Sequence, residues 1–171
     1  MSKTGIFYGS STGATQSAAE TISKELNKNG IESAVHNIAD VSISQLASYT
    51  NIVLGTSTWG MGDLQDDWEG VLGELKSADL KNKKIALFGL GDQDGYPDTF
   101  VDGIGILYDA VVAAGADVVG FVSTDGYSFD ASLAERDGNF VGLPLDDDNQ
   151  SDMTDERISS WVAVISEQFK G

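Results

Sequence analysis

The sequence predicts a three-layer α/β domain built on a parallel sheet, and three observations carry that reading. Short apolar runs rich in Ile, Val and Phe recur without alternation, as strands buried on both faces require. Between them the apolar period becomes helical, so strand and helix patterns alternate along the whole chain. Clusters of Gly, Ser, Thr and Asp mark most of the changes from one period to the other. At 171 residues the chain is most simply one domain over 1–171, able to bury about 70% of its unfolded surface.

The first run, Gly5–Tyr8, leads into a helical stripe of Ala14, Ala18, Ala19, Ile22 and Leu26. Asn29-Gly30 ends that stripe as a C-cap. Ser33–Ile38 alternates more and contains His36, so it reads as an edge strand. Ile52–Leu54 is the third strand, followed by a stripe of Trp68, Val71, Leu72 and Leu75. Ile85–Phe88 is the fourth, followed by Phe100, Ile104, Leu107, Tyr108 and Val111. Val118–Val122 opens a fifth strand. The polar, turn-rich excursion Ser123–Gly138 interrupts it before Phe140–Leu143 resumes. A last helix presents Ile158, Trp161, Val162, Ile165 and Phe169 on one face, with Thr154 as N-cap and Asp155-Glu156 in the first turn.

Composition removes several function classes. With 27 acidic against 10 basic residues the net charge is −17, which leaves no basic stripe for nucleic acid or anionic lipid. No apolar stretch reaches the roughly 18–20 residues of a membrane span. No basic-then-apolar leader pattern is seen, so a cytoplasmic location is expected. Zero cysteines remove disulfides and thiolate metal sites, and make the Asn149-Gln150-Ser151 glycosylation triplet a chance match. His36 is the lone histidine, and Asp146–Asp148 lacks the Gly and distal Glu of a calcium loop, so no metal site is expected.

Ligands of open parallel sheets bind beyond the carboxyl ends of the strands, where strand order reverses. The loop after the first strand, Ser10-Ser11-Thr12-Gly13-Ala14-Thr15, places small and hydroxyl residues at a helix N-terminus. Backbone N–H groups and the helix dipole can hold a phosphate there without Lys or Arg. It is not a nucleotide P-loop, because no Gly-Lys-Ser/Thr follows. The loop after the third strand, Thr56-Ser57-Thr58-Trp59-Gly60-Met61-Gly62-Asp63, carries a Trp outside any apolar stripe. The loop after the fourth, Gly89–Asp98, carries Tyr96 in a Gly- and Asp-rich turn. Two aromatics on neighbouring loops above a phosphate loop suit a flat ring system joined to one phosphate.

These three loops resemble those of the flavodoxins, small electron carriers that bind FMN non-covalently. Ser10–Thr15 is similar to the family's S/T-x-T-G-x-T phosphate loop, and Ser57–Gly62 and Gly91–Tyr96 to its two ring-flanking loops. Leu64–Gly70 and Asp147–Asp152 also look like family sequence, and the interrupted fifth strand resembles the long-chain subgroup. The resemblance implies a flavodoxin-like fold with a five-stranded parallel sheet in order 2-1-3-4-5 and an insertion in the fifth strand. In flavodoxins that order places FMN at the switch point.

Carried over by position, Ser10, Ser11, Thr12, Gly13, Ala14 and Thr15 would hold the phosphate. Trp59 and Tyr96 would flank the ring, Trp59 on its inner face and Tyr96 on its outer one. Backbone at Thr58, Gly60, Met61, Gly62, Gly91, Asp92, Thr99 and Val101 would meet the ring's polar edge or the ribityl chain. Ala14 stands where the family commonly has a polar residue, which leaves its backbone N–H as the donor. Whether Asp146 or Asp147 approaches the ribityl chain is left open.

The function this implies is a low-potential one-electron carrier shuttling mainly between FMN semiquinone and hydroquinone. Gly60 matches the position whose carbonyl accepts the hydrogen on flavin N5, and glycine reaches φ > 0 at little steric cost. Asp63, Asp66, Asp67, Asp92, Asp94 and Asp98 would surround an anionic reduced ring. One such charge about 8 Å away costs roughly 2 kcal/mol at an effective dielectric of about 20. Expected partners are redox proteins with basic docking faces, of the ferredoxin/flavodoxin–NADP reductase type, with the carrier itself a monomer. An FMN-dependent NAD(P)H or quinone oxidoreductase is the alternative on the same fold, though Tyr96 would cover the face such an enzyme needs open. A phosphoacceptor receiver is disfavoured, because the first strand ends in Tyr8-Gly9-Ser10 rather than acids.

Overall fold

The computed structural model describes residues 4–170. The central sheet is parallel and runs β2 (Ser33–Asn37), β1 (Thr4–Tyr8), β3 (Asn51–Trp59) and β5 (Lys84–Leu90), with β4 (Asp63–Leu64) added antiparallel to the end of β3. The fifth position is shared by two segments. β6 (Asp117–Val119) pairs with the start of β5 at Lys84–Ala86, and β10 (Leu143–Leu145) pairs with its end at Phe88–Leu90. Strand positions therefore follow the order 2-1-3-4-5, as expected.

Helices cover both faces because alternate strand residues point to opposite sides. Ile6, Val53, Ala86 and Phe88 pack against α1 (Ala14–Lys28) and α5 (Thr154–Lys170) through Ala19, Ile22, Leu26, Ile158, Val162 and Ile165. Phe7, Ile52, Leu54, Ile85 and Leu87 face α2 (Asp66–Glu69), α3 (Leu72–Ser77) and α4 (Asp102–Ala113) through Trp68, Leu75, Ile104, Leu107 and Val111. Each such Leu, Ile or Phe contributes about 1.5–3 kcal/mol on burial, so both layers must be in place for the sheet to persist. His36 belongs to this packing: its ring stacks on Phe7 at 4.9 Å and its Nε2 bonds the Tyr49 hydroxyl at 2.7 Å.

Several boundaries differ from the sequence reading. The third strand does not stop at Leu54. It continues to Trp59 because Thr56–Ser57 pair with Gly89–Leu90 and Thr58–Trp59 pair with Asp63–Leu64, so the expected loop is a strand end and a hairpin turn. The stripe Trp68–Leu75 is two short helices, broken at Gly70-Val71. Phe100 precedes α4 rather than lying on it, because Val101 takes φ +47 immediately before the helix. A 3₁₀ turn over Ser151–Met153 leads into α5, so Thr154 is its first helical residue; its hydroxyl instead donates to Asp147 Oδ1 at 2.6 Å.

The interruption in the fifth strand is also larger than the polar segment alone. Val122 and Phe140 both leave the main sheet and pair with each other in a small antiparallel sheet of β7 (Val122–Ser123), β9 (Asn139–Phe140) and β8 (Glu135–Arg136). Phe140 closes an aromatic group with Phe100, Tyr127 and Phe129, giving the excursion its own apolar contact with the α4 side of the core. No helix among the described residues is long and apolar enough to cross a membrane.

Candidate functional site

At the carboxyl ends of β1, β3 and β5 the chain leaves a cleft of about 320 Å³, at the point where strand order reverses. Its walls come from all three loops singled out in the sequence: Thr12, Ala14 and Thr15 from the first; Ser57, Thr58, Trp59 and Gly60 from the second; Gly91, Asp92 and Tyr96 from the third. Leu90, Asp147 and Asp148 complete it. Among the described residues no Lys or Arg lines it.

The first loop is a helix entrance with exposed donors. The first intrahelical bond runs from Ser17 N–H to Gly13 O at 3.0 Å. The N–H groups of Ala14, Thr15 and Gln16 therefore have no acceptor in their own helix. Gly13 makes the turn at φ +96, a conformation that favours glycine. Ser10 Oγ accepts from Gly13 N–H at 2.9 Å and braces the turn, while Ser11, Thr12 and Gly13 are exposed. Ser10, Ser11 and Gly13 shape the loop without lining the cleft wall.

Behind this loop stands Gln65, a buried residue that the sequence reading did not single out. Its Oε1 accepts from the N–H groups of Asp67 (3.1 Å) and Trp68 (3.4 Å) and so caps α2. Its Nε2 donates to Ser11 Oγ at 3.2 Å and to Asp67 Oδ2 at 2.8 Å. Trp68, fully buried, donates its indole N–H to Gly55 O at 2.8 Å. The two residues tie the phosphate-type loop to β3. A Gln just before an acidic helix start was the available signal.

The hairpin between β3 and β4 carries Trp59, which is 41% exposed, and Met61, which is 86% exposed at the tip. Gly60 and Gly62 make the turn at φ +51 and +96. Gly62 is also a close approach: a Cβ there would stand 2.7 Å from Asp102 Oδ2 and 3.3 Å from Thr99. The start of α4 clamps the hairpin from below, with Gly103 N–H donating to Thr58 Oγ1 at 2.9 Å. Asp102 is buried there and accepts from Leu133 N–H at 2.8 Å; burial pushes its carboxyl above the usual range despite that bond. Gly62, Thr99 and Val101 thus support the hairpin and third loop, and neither they nor Met61 line the cleft. Val101 is fully buried against Gly91.

In the third loop Tyr96 is 49% exposed and faces the cleft. Asp92 holds the turn by accepting from Gly95 N–H at 2.7 Å and Asp94 N–H at 3.2 Å, and Asn149 Nδ2 reaches it at 2.8 Å. The Gly95 and Asn149 bonds hold its carboxyl below the usual range. Asp146 is a buried fastener rather than a cleft group. It accepts from the backbone and side chain of Gln93 (3.0 and 2.7 Å) and from Asn149. Gln93 Oε1 in turn accepts from Ser128 N–H at 2.6 Å, fastening the excursion to the third loop. Of the two acids left open, only Asp147 reaches the cleft. Asp148 beside it is pushed up by partial burial and by the charges of Asp92, Asp146 and Asp147.

One buried polar atom in the cleft wall is unexplained by the protein alone. Ser57 Oγ is buried and has no hydrogen-bond partner. Unpaired donors at the helix end, an orphaned hydroxyl and two half-exposed aromatics form a chemistry that fits a phosphate joined to a flat polar-edged ring.

The protein-family model described as Flavodoxin matches residues 6–161. A flavodoxin of Nostoc sp. is 47% identical over 167 residues, covering 98% of this chain and 97% of the relative. A flavodoxin of Helicobacter pylori is 47% identical over 169 residues, covering 99% of each. Among solved structures, Fusobacterium nucleatum flavodoxin bound to flavin mononucleotide superposes with a TM-score of 0.93 at 34% identity, covering 99% of each chain.

Proposed function

The chain belongs to the flavodoxin family, and from that premise we propose that it is an electron carrier that binds FMN in the cleft at the switch point. The observation that carries this is the meeting of an uncharged donor loop, Ser10–Thr15, with two half-exposed aromatics, Trp59 and Tyr96, around one cleft. The relatives are named flavodoxins, which favours the carrier over the oxidoreductase alternative.

The backbone N–H groups of Ala14, Thr15 and Gln16, with the Ser11 and Thr12 hydroxyls, would hold the phosphate. Trp59 and Tyr96 would cover the two faces of the ring and keep water from it. Ser57, Thr58, Gly60, Gly91 and Asp92 would meet its polar edge and the ribityl chain, with Gly62, Thr99 and Val101 behind them and Met61 at the hairpin tip. FMN, when bound, supplies the redox chemistry, and the protein sets its potentials. The Gly60 carbonyl, on a turn that glycine lets reorient, would be the protein's acceptor for a ring N–H. With no cation among the described residues lining the cleft and Asp92, Asp147 and Asp148 in its wall, the site opposes a second negative charge. That combination makes a strong one-electron donor.

The partners that fit are redox proteins presenting basic faces, such as a ferredoxin/flavodoxin–NADP reductase, met by the acids around the hairpin. The carrier acts in the cytoplasm as a monomeric single domain. The test is titration of the apoprotein with FMN, followed by flavin fluorescence. One-to-one quenching, without steady NAD(P)H consumption by the loaded protein alone, is the expected result. Failure to take up FMN overturns the reading.

A further inference from the structure

Not all of the large apolar side chains left exposed surround the FMN cleft. Trp59, Met61 and Tyr96 do, but Phe121, on the link from β6 to β7, and Val164, on α5, stand apart from it, each about half exposed. These two form the rim of a second cavity of about 350 Å³, which shares no residue with the cleft. Its floor is core, made by the buried side chains of Leu143 and Trp161. The Trp161 indole N–H is fixed on Gly120 O at 2.8 Å, and Tyr108 of α4 packs edge-on against Phe121 with ring centroids 6.3 Å apart. An apolar hollow with braced walls and an open mouth is suited to receive a side chain from outside.

The charges at this cavity are acidic and uncompensated. Asp125 borders it from the excursion and Glu156 from α5, and among the described residues neither forms an ion pair. Arg157 belongs to the same wall but is spent on its own fold. Its guanidinium lies over the Tyr127 ring at 4.0 Å, Nη2 donates to Gly126 O at 3.1 Å, and Nη1 is inaccessible. The Tyr127 hydroxyl donates to Pro144 O at 2.7 Å, which fixes the ring beneath it. Asp125 and Glu156 therefore set the sign of what can approach. A second copy of the chain would bring a net charge of −17 and the same two acids against them, so self-association on this face is opposed.

We propose that this cavity is a docking site for a basic partner protein, which places a bulky apolar side chain between Phe121 and Val164 and sets Lys or Arg side chains against Asp125 and Glu156. An amphipathic helix presents that pattern, with an apolar residue flanked by cations one turn away, and laying such a helix into an apolar groove is a recurrent mode of recognition. Burial of the apolar side chain supplies affinity, and the charges supply orientation and speed of encounter. A partner held here leaves Trp59 and Tyr96 free to face a second protein, because the two sites share no residue.

The experiment uses the FMN-loaded, isotope-labelled protein and a short amidated helical peptide of Lys and Leu with one central Phe, followed by the NMR shifts of the Trp161 and Trp59 indole N–H groups. A saturable shift at Trp161 with Trp59 unmoved is the expected result. A control peptide with Ser in place of Leu and Phe should bind about tenfold or more weakly, and one with Glu in place of Lys should not bind. Val164→Lys, at the half-exposed rim, should weaken the parent peptide about tenfold or more. Asp125→Asn with Glu156→Gln should weaken it about threefold at low salt and much less at high salt. A shift at Trp59 instead of Trp161, equal affinity for the Ser control, or affinity unchanged by Val164→Lys or by the paired neutralisation would overturn the proposal. So would a dimer in sedimentation that Val164→Lys dissolves, since the occupant would then be a second copy. Because flavin absorbance reports the FMN cleft separately, failure here leaves the electron-carrier reading standing.

Discussion

Gln65→Ala separates two things that one buried side chain does. Its Oε1 caps α2 through Asp67 and Trp68, and loss of such a cap destabilises by about 1 kcal/mol. Its Nε2 bond to Ser11 Oγ contributes about another 1 kcal/mol, and the space left by a nearly inaccessible side chain adds a similar amount. The apoprotein should therefore lose about 2–3 kcal/mol, a fall in Tm of roughly 5–10 °C. Only the Ser11 contact bears on the phosphate. FMN affinity should drop about fivefold, the equivalent of about 1 kcal/mol, while affinity for riboflavin, which has no phosphate, stays the same. The assay is paired fluorescence titration of the apoprotein with FMN and riboflavin, alongside thermal unfolding. Ser11→Ala should reproduce the FMN loss without the full loss of stability. Equal weakening of both ligands, or of neither, would refute the assignment of Gln65 as the brace of the phosphate loop.

Three other outcomes are expected. Gly60→Ala or Gly60→Asn, at φ +51, should lower the potential for the first electron by about 30–60 mV in a redox titration, and an unchanged or higher value counts against the reorienting turn. Neutralising Asp63, Asp66 and Asp67 together should slow electron transfer with a basic reductase at low salt and much less at high salt; equal rates at low ionic strength would remove the acidic docking face. Asp102→Asn keeps an acceptor for Leu133 N–H but removes a buried charge. Burial raises the folded carboxyl, so its favourable state is complete below the unfolded value of about 3.9 and is lost as pH rises through the folded one. The variant should thus resist denaturant better than the parent at pH 7, with the gain shrinking toward pH 4, and a gain that persists at low pH would show another cause.

Much of the fold was legible because it rests on local signals. Doubly buried strands such as Ile85–Phe88 read as unbroken apolar runs, and Ala14–Leu26 and Ile158–Phe169 carry a helical period that their burial follows. The cleft was legible because Trp59 and Tyr96 stand outside every apolar stripe, beside turn-forming glycines, where packing does not explain a large aromatic. Boundaries were less so. The end of β3 depends on Thr56–Trp59 finding partners at Gly89–Leu90 and Asp63–Leu64, which is a matter of register between distant segments. The break at Gly70-Val71 divides what the apolar spacing alone presents as one helix.

By itself the sequence determined the layer order, the two helical faces that bury the sheet, and a phosphate loop without cations. These follow from periodicity and from residue types whose backbone preferences act over a few positions. Tertiary structure alone decided that Gln65 braces Ser11, that Asp146 fastens the third loop rather than facing the cleft, and that Arg157 is folded onto the Tyr127 ring. Those outcomes join residues as far as 54 positions apart (Ser11 and Gln65), and a buried polar group acquires its role only from the partner that packing brings to it.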